Sequence, residues 1–153
     1  MEKHSLPEDL RSKASTAGGE QACRMADVED IILAARNLAM ACIGGQVQFR
    51  FPGGTCETYW VNFDSTERQP GETWPAYVWR SAEETLFAFR RICRETDFRE
   101  LAREWDFGKE KIDQGLDPLD LPVVPDLLPN GANKRTERCR RALRSSAAQR
   151  QNR

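Results

Sequence analysis

The chain has 153 residues with 23 basic and 24 acidic side chains, so its length predicts one domain with tails and its total charge indicates no particular partner. The five cysteines are widely spaced and form no CxxC pair, which argues against a disulfide framework or a zinc site and favours the reducing cytoplasm. No apolar run reaches the length of a membrane span, and residues 1–19 lack the apolar core of a signal peptide.

The N-terminal part of the chain is predicted to be a disordered segment followed by a helix. Residues 1–25 are polar and rich in small side chains, which is typical of disorder. A helix is predicted over residues 27–43, with Asp27 as its N-cap and Gly44–Gly45 at its end. Its apolar residues recur at helical spacing: Val28, Ile31, Ile32, Ala35, Leu38, Ala39 and Cys42.

The clearest pattern in the chain is a β-hairpin over residues 46–63. Apolar and polar residues alternate on both sides of a Pro-Gly-Gly-Thr turn, as in strands that bury one face. An odd loop pairs Phe51 with Glu57, whereas an even one pairs Phe51 with Cys56. We favour the odd loop, because it places the apolar residues of both strands on one face. These residues are Val47, Phe49, Phe51, Tyr59, Val61 and Phe63.

In this register the other face of the hairpin is polar and carries one large aromatic side chain. An antiparallel sheet can leave such a face in water. Trp and Arg dominate protein-interface hot spots, so this face is the candidate partner-binding site, and its Trp could also stack on a nucleic-acid base. The alternative is that a Pro-rich segment further along the chain covers the Trp. The candidate residues are Trp60, Arg50, Gln48 and Thr58, and Gln46 and Asn62 complete the face.

Three elements are predicted after the hairpin. The aromatic-rich residues 74–79 are predicted to form a third strand, which we favour, or a loop whose aromatic side chains pack into the core. A helix over 81–95 follows from a capping box, in which Ser is followed three residues later by Glu. The apolar stripe then changes phase, so a second helix is predicted over 97–106, with Asp97 as its cap.

The C-terminal part of the chain divides into an apolar and a basic segment. Residues 114–133 combine four prolines with seven Leu and Val residues. Prolines exclude a helix and a central strand, so we predict an extended segment docked on its own domain, which we favour, or on a partner. Residues 134–153 sum to +7 against −8 for the rest of the chain and are predicted to form a basic C-terminal helix or tail.

No catalytic, cofactor or metal site is predicted. Nucleophilic catalysis usually needs a histidine base, and the one histidine, His4, lies in the predicted disordered segment. The Gly-Gly pairs match no phosphate-binding loop, and 24 acidic residues make any carboxylate pair uninformative. An enzyme is therefore not favoured.

The basic segment supports an alternative function, which is salt-sensitive binding of nucleic acid without sequence preference. It could instead lie on the acidic body of the protein or remain in solvent. The residues that would contact phosphates are Lys134, Arg135, Arg138, Arg140, Arg141 and Arg144.

The sequence thus predicts an α+β fold. A small two- or three-stranded antiparallel sheet is packed by helices in the order α-β-β-(β)-α-α, within a domain over residues 26–113, and a C-terminal helix follows. The expected function is that of a non-enzymatic cytoplasmic regulator, either an inhibitor or an adaptor, that binds another protein. Nucleic-acid binding is the alternative.

Overall fold

The computed structural model describes residues 8–12, 15–17, 20–118 and 122–128. The strands are β1 (Ser15–Ala17), β2 (Glu20–Arg24), β3 (Ala41–Phe51), β4 (Gly54–Asn62) and β5 (Pro122–Leu128). The helices are α1 (Glu8–Arg11), α2 (Val28–Asn37), α3 (Trp74–Glu95), α4 (Phe98–Arg103) and α5 (Asp106–Asp113). Within the described residues the strands form one antiparallel sheet in the order β1-β2-β5-β3-β4. The predicted α+β class is confirmed, and the sheet is larger than expected.

The core lies between the β3–β4 hairpin and the helices α2, α3 and α4. Each helix buries apolar residues at helical spacing, such as Ile31, Ile32 and Ala35 on α2. The best-buried aromatic residues of the sheet side are Phe49 and Phe63. The ring of Phe63 meets that of Phe89 on α3 edge-to-face, with centroids 5.2 Å apart.

The hairpin is present, but its register next to the turn differs from the prediction. The loop has two residues, and Phe51 pairs with Gly54 instead of Glu57. The predicted register returns further from the turn, where Gln46 pairs with Asn62. A β-bulge lies between these two parts of the hairpin, so the inward-facing side of β4 changes along the strand. The inward-facing residues are therefore Cys56 and Thr58 near the turn and Val61 and Phe63 beyond the bulge.

β5 occupies a position that its prolines were predicted to exclude. It pairs with β3 on one side, over Ala41 to Val47, and with the end of β2 on the other. The prediction that prolines exclude a central strand is therefore wrong. A proline is tolerated in a sheet next to a bulge, and Pro125 lies opposite Gly45, beside the register shift between Cys42 and Gly44.

The boundaries of α2 and α3 differ from those predicted. α2 ends at Asn37, because the residues from Ala41 onward belong to β3. Residues 74–79 form the first turns of α3 and not a strand. The N-cap of α3 is Thr73, whose side-chain oxygen accepts a hydrogen bond from the backbone N–H of Ala76, and a proline occupies the first turn.

The remaining predicted elements have mixed outcomes. Asp97 is the N-cap of α4, as predicted, and accepts hydrogen bonds from two backbone N–H groups. The predicted helix over 97–106 is shorter, and the separate helix α5 follows it. Residues 20–24 form β2, although the sequence predicted disorder over 1–25. The basic segment 134–153 lies outside the described residues.

Candidate protein-binding surface

The bulge in β4 determines where Trp60 lies. Between the pair Gln46–Asn62 and the pair Gln48–Glu57, β3 has one residue, Val47, whereas β4 has four, residues 58–61. Val47 has no paired residue in β4 because of the bulge. The hydroxyl of Thr58 donates a hydrogen bond to the carbonyl oxygen of Val47, so this buried acceptor still has a partner. Within this stretch Thr58 and Val61 are buried, whereas Trp60 is 61% exposed.

Trp60 is held in place by a second tryptophan that the sequence analysis did not include in the site. The indole rings of Trp60 and Trp105 are stacked, with centroids 5.7 Å apart and an angle of 10° between the ring planes. Trp105 in turn meets the buried ring of Phe49 edge-to-face at 6.2 Å. One face of Trp60 is therefore fixed to the core through Trp105, and the rest of its ring is open to solvent.

Further aromatic contacts continue from this pair toward the hairpin turn. Phe107, at the start of α5, meets Phe51 edge-to-face with centroids 6.1 Å apart. The ammonium group of Lys111 lies 5.3 Å from the centroid of the Phe107 ring, within cation–π range. We call Trp60, Trp105, Phe107 and Lys111 together the hairpin surface.

The structure separates Trp60 from the other three predicted site residues. Gln48 and Thr58 are buried, with exposed fractions of 5% and 0%, so neither contributes to the surface. Arg50 is half-buried, and its Nε donates a hydrogen bond to Gln48. Strand alternation places Arg50 on the sheet face opposite Phe49, whereas Trp60 stacks on the side of Phe49. The prediction of one polar face carrying all four residues is therefore wrong.

The partner residues of Trp60 were missed because they come from a region read as ordinary helix. Trp105 fell within the helix predicted over 97–106, whereas in the structure it is the N-cap position of α5 and only partly buried. No signal in the sequence connects Trp105 with Trp60, because the two residues are 45 positions apart and belong to different predicted elements.

A thiol next to the hairpin surface has no catalytic environment. Cys56 is buried between β4 and α5, and the backbone N–H of Gly108 donates a hydrogen bond to its sulfur. Burial raises the pKa of the Cys56 thiol despite this hydrogen bond. A raised pKa keeps the thiol protonated at neutral pH, whereas a nucleophilic cysteine needs the thiolate.

Comparisons with known proteins add no family to these observations: no family model, curated protein or solved structure matches the chain. Among the described residues, no cluster of three or more His, Cys, Asp or Glu side chains has the geometry to hold a metal ion. In the same part of the chain, no helix is long and apolar enough to cross a membrane. The six basic residues predicted to contact nucleic acid, between Lys134 and Arg144, lie outside the described residues.

Proposed function

We propose that the protein acts by binding another protein through the hairpin surface, with Trp60 as the central anchor. The observation that supports this proposal is the stack of Trp60 on Trp105, which leaves a large apolar ring 61% exposed in a fixed orientation. Trp is among the residues that contribute most to binding energy at protein interfaces.

The fixed orientation of Trp60 favours binding over a purely structural role. A side chain that is ordered before binding loses little conformational entropy when a partner covers it, whereas a mobile one costs about 0.5–1.5 kcal/mol. The stack on Trp105 supplies that order in the free protein. The partner is expected to place an apolar side chain on the open face of Trp60.

The charge at the rim of the surface indicates what else the partner carries. Lys111 lies over the Phe107 ring at the end of the aromatic row. We expect an acidic group of the partner near Lys111, because opposite charges at an interface rim increase the association rate and fix the orientation. Binding should therefore be faster at low ionic strength, with a modest effect on affinity.

Affinity capture with a matched pair of tryptophan variants tests the proposal. Trp79 serves as the control, because it is 56% exposed and lies on α3, away from the hairpin surface. Immobilised wild-type protein and the Trp60→Ala and Trp79→Ala variants are incubated with cell extract, and retained proteins are quantified by mass spectrometry. We expect a protein that wild type and Trp79→Ala retain and that Trp60→Ala loses.

The captured protein is then purified and its affinity measured directly. Trp60→Ala is expected to weaken binding by about 30-fold or more, which corresponds to about 2 kcal/mol at a hot spot. Lys111→Ala should reduce mainly the association rate. Equal retention by all three proteins, or equal affinities, would refute the proposal. If a partner is identified, its activity with and without this protein distinguishes an inhibitor from an adaptor.

Nucleic-acid binding through residues 134–153 stays a second candidate, favoured by their sum of +7. Its test compares the full chain with a chain that ends at Gly131 in binding generic DNA and RNA at several salt concentrations. Binding that weakens steeply with salt and is lost on truncation supports this candidate. Absence of binding by the full chain at low salt eliminates it.

A further inference from the structure

One face of the β3–β4 hairpin is buried although the helices pack on the other. Val47 and Phe49 belong to the core cluster. Strand alternation therefore places Gln46 and Gln48 on the opposite side of β3. These two residues are nevertheless only 6% and 5% exposed. Arg50 and Glu57 lie on the same side and are half-buried. We call the four residues together the outer face: Gln46, Gln48, Arg50 and Glu57.

The described helices do not account for the burial of the outer face. α2, α3, α4 and α5 all contribute apolar residues to the cluster that contains Phe49. The start of α3 also packs on Ala41 and Ile43, at the end of β3 far from the turn. In α1, the side chains of Glu8 and Asp9 are exposed. Side chains of a strand stand nearly perpendicular to the sheet, so neighbouring strands alone do not bury them. The burial of the outer face thus requires a further element on this side.

We propose that the basic segment, residues 134–153, docks on the outer face. β5 ends at Leu128, which pairs with Ala41 at the start of β3. The chain that follows β5 therefore leaves the sheet beside the start of β3 and reaches the outer face by turning back along this strand. The segment would span about 30 Å as a helix, which matches the length of β3 from Ala41 to Arg50 at about 3.3 Å per residue.

The charge of the basic segment suits a carboxylate on the outer face. The Oε2 atom of Glu57 is buried without a hydrogen-bond partner among the residues that the structure describes. A buried carboxylate oxygen costs free energy unless a donor binds it. The basic segment carries eight Lys and Arg side chains and one acidic side chain, whereas the rest of the chain sums to −8. An arginine of the segment can donate to Glu57, and such charge-assisted hydrogen bonds are stronger than neutral ones.

Two other occupants fit the outer face less well. Residues 1–7 contain one lysine and one glutamate, so their side chains bring no net charge to Glu57. They would also span only about 10 Å as a helix, which is too short to cover β3. A second copy of the chain would present a body that sums to −8, and like charges at an interface are unfavourable.

Docking determines when the basic segment is available to other molecules. A docked segment holds its arginines against the sheet, so they contact phosphates only after the segment leaves. Salt screens ion pairs that are close to solvent, so docking is tighter at low ionic strength. The outer face thus binds a part of its own chain, whereas the hairpin surface stays open to a partner.

Thiol labelling of the full chain tests whether the segment covers the outer face. In a parent chain with Cys93→Ser and Cys139→Ser, either Gln48→Cys or Phe87→Cys introduces one new thiol. A second set of variants also reverses four charges of the segment: Arg138→Glu, Arg140→Glu, Arg141→Glu and Arg144→Glu. Labelling at position 48 should be slow in the parent chain and rise about tenfold on charge reversal, because several ion pairs are lost. Labelling at position 87, which is 66% exposed on α3, should be fast in both sets.

Photocross-linking of the full chain identifies the occupant. A benzophenone maleimide is attached to Arg50→Cys in the same parent chain, because Arg50 is half-buried at the turn end of the outer face. Irradiation should join position 50 to peptides from residues 134–153 of the same molecule, whereas the probe at position 87 should not reach them. Cooperative thermal unfolding of each variant shows that it is folded.

Three results would each overturn the proposal. The first is labelling at position 48 of the parent chain that is as fast as labelling at position 87. The second is labelling at position 48 that charge reversal leaves unchanged. The third is cross-linking from position 50 to residues 1–7 or to a second molecule instead of residues 134–153.

Discussion

Gly44 in β3 lies so close to Asp64, just after β4, that a side chain at position 44 has no room. A Cβ atom built on Gly44 would lie 2.6 Å from the Cα of Asp64 and would overlap a carboxylate oxygen. The backbone at Gly44 also has a φ of 132°, a conformation that L-residues rarely adopt. Position 44 therefore requires glycine for two reasons, the lack of room for a side chain and the positive φ. It lies at the bulge where β3 pairs with β5.

Gly44→Ala is expected to destabilise the protein by about 3 kcal/mol, because both the backbone strain and the overlap with Asp64 must be relieved. Gly53→Ala is the matched control. Gly53 also has a positive φ, 91°, but a Cβ there would meet nothing within 4 Å. Gly53→Ala should cost only the strain of placing alanine at a positive φ, about 1 kcal/mol. Urea unfolding measures both, and equal losses would show that the contact with Asp64 is unimportant.

Two buried hydroxyl groups on adjacent turns of α3 should respond differently to removal. The Ser81 hydroxyl accepts a hydrogen bond from the Cys42 backbone N–H and donates one to the carbonyl oxygen of Val78. Ser81→Ala leaves a buried N–H unpaired and should cost about 1–3 kcal/mol. The Tyr77 hydroxyl is buried with no hydrogen-bond partner in the described residues, so Tyr77→Phe should be neutral or slightly stabilising. A larger loss from Tyr77→Phe than from Ser81→Ala would contradict this account.

The same hydroxyl of Ser81 shows why one helix start was misplaced. Ser followed three residues later by Glu is a capping signature, but at position 81 it lies inside α3. Ser81 bonds to β3, and Glu84 bonds to the backbone N–H and hydroxyl of Thr66 in the loop after the hairpin. The residues therefore serve tertiary contacts, which a local pattern cannot distinguish from a cap.

Residues 41–47 show a second limit of sequence patterns. This stretch of β3 is buried throughout, because β5 pairs along one edge of it and the chain at and just after the end of β4 bonds to the other edge, where Phe63 and Ser65 donate backbone N–H groups to the carbonyl oxygens of Gly45 and Ile43. A continuous apolar run cannot be assigned to strand or helix from periodicity, so its first residues were assigned to α2. β5, which pairs with this stretch, was not predicted as a strand either, since prolines normally argue against a central strand.

The candidate site was predictable in part. Strand alternation correctly placed Trp60 on the side opposite to Val61, but its exposure stayed open in the sequence, because the Pro-rich segment could have covered it. Its stacking partner Trp105 is 45 residues further along the chain, and no local pattern connects the two. The bulge next to Trp60 arises because the register at the two-residue turn, where Phe51 pairs with Gly54, differs from the register further away, where Gln46 pairs with Asn62. A prediction with one register for the whole hairpin could not contain both pairings.

An ion-pair group centred on Arg80 should give the protein a measurable dependence on acid pH. The guanidinium of Arg80 lies 2.7 Å from a carboxylate oxygen of Glu72 and 2.9 Å from one of Glu84. The hydrogen bond from Arg80 lowers the pKa of Glu72 from 4.5 to about 2. Since the pKa of the folded state is the lower one, the contribution of Glu72 to stability is complete above pH 4.5 and is lost as the pH falls through about 2.

Glu72→Gln tests this dependence. We expect the melting temperature of wild type to fall more steeply than that of Glu72→Gln between about pH 5 and pH 2, because the variant lacks the titrating carboxyl. Calorimetry at several pH values measures both slopes. Other carboxyl groups titrate in both proteins, so the difference between the slopes isolates Glu72. Parallel slopes would show that Arg80 does not hold this carboxylate in solution.

The described cysteines should differ widely in reactivity. Burial raises the pKa of the Cys23 and Cys42 thiols to about 12. Partial burial also raises the pKa of the Cys93 thiol, but that residue is exposed and a reagent can reach it. Alkylation requires the thiolate and access of the reagent, so Cys93 should react first at about pH 8. Peptide mass spectrometry after timed alkylation gives the rate at each residue, and all rates should converge in denaturant. Native labelling of Cys42 as fast as Cys93 would mean that the β3 region opens readily.

The stack of Trp60 on Trp105 should appear as a coupling energy in a double-mutant cycle. Trp105→Ala is expected to cost about 3 kcal/mol, since it also removes the contact with Phe49 in the core. Trp60→Ala should cost about 1 kcal/mol, because most of its ring is already in water. The double variant should lose less than the sum by about 0.5–1.5 kcal/mol, the usual strength of an aromatic pair.

The cycle of Trp60 with Trp79 provides the control. These residues lie on separate surfaces, so their effects should add to within about 0.5 kcal/mol. Coupling with Trp105 and additivity with Trp79 would establish that Trp60 is ordered by its neighbour before any partner binds. Additivity in both cycles would mean that Trp60 moves freely in solution. The entropic advantage that supports Trp60 as a binding anchor would then be absent, whatever the capture experiment shows.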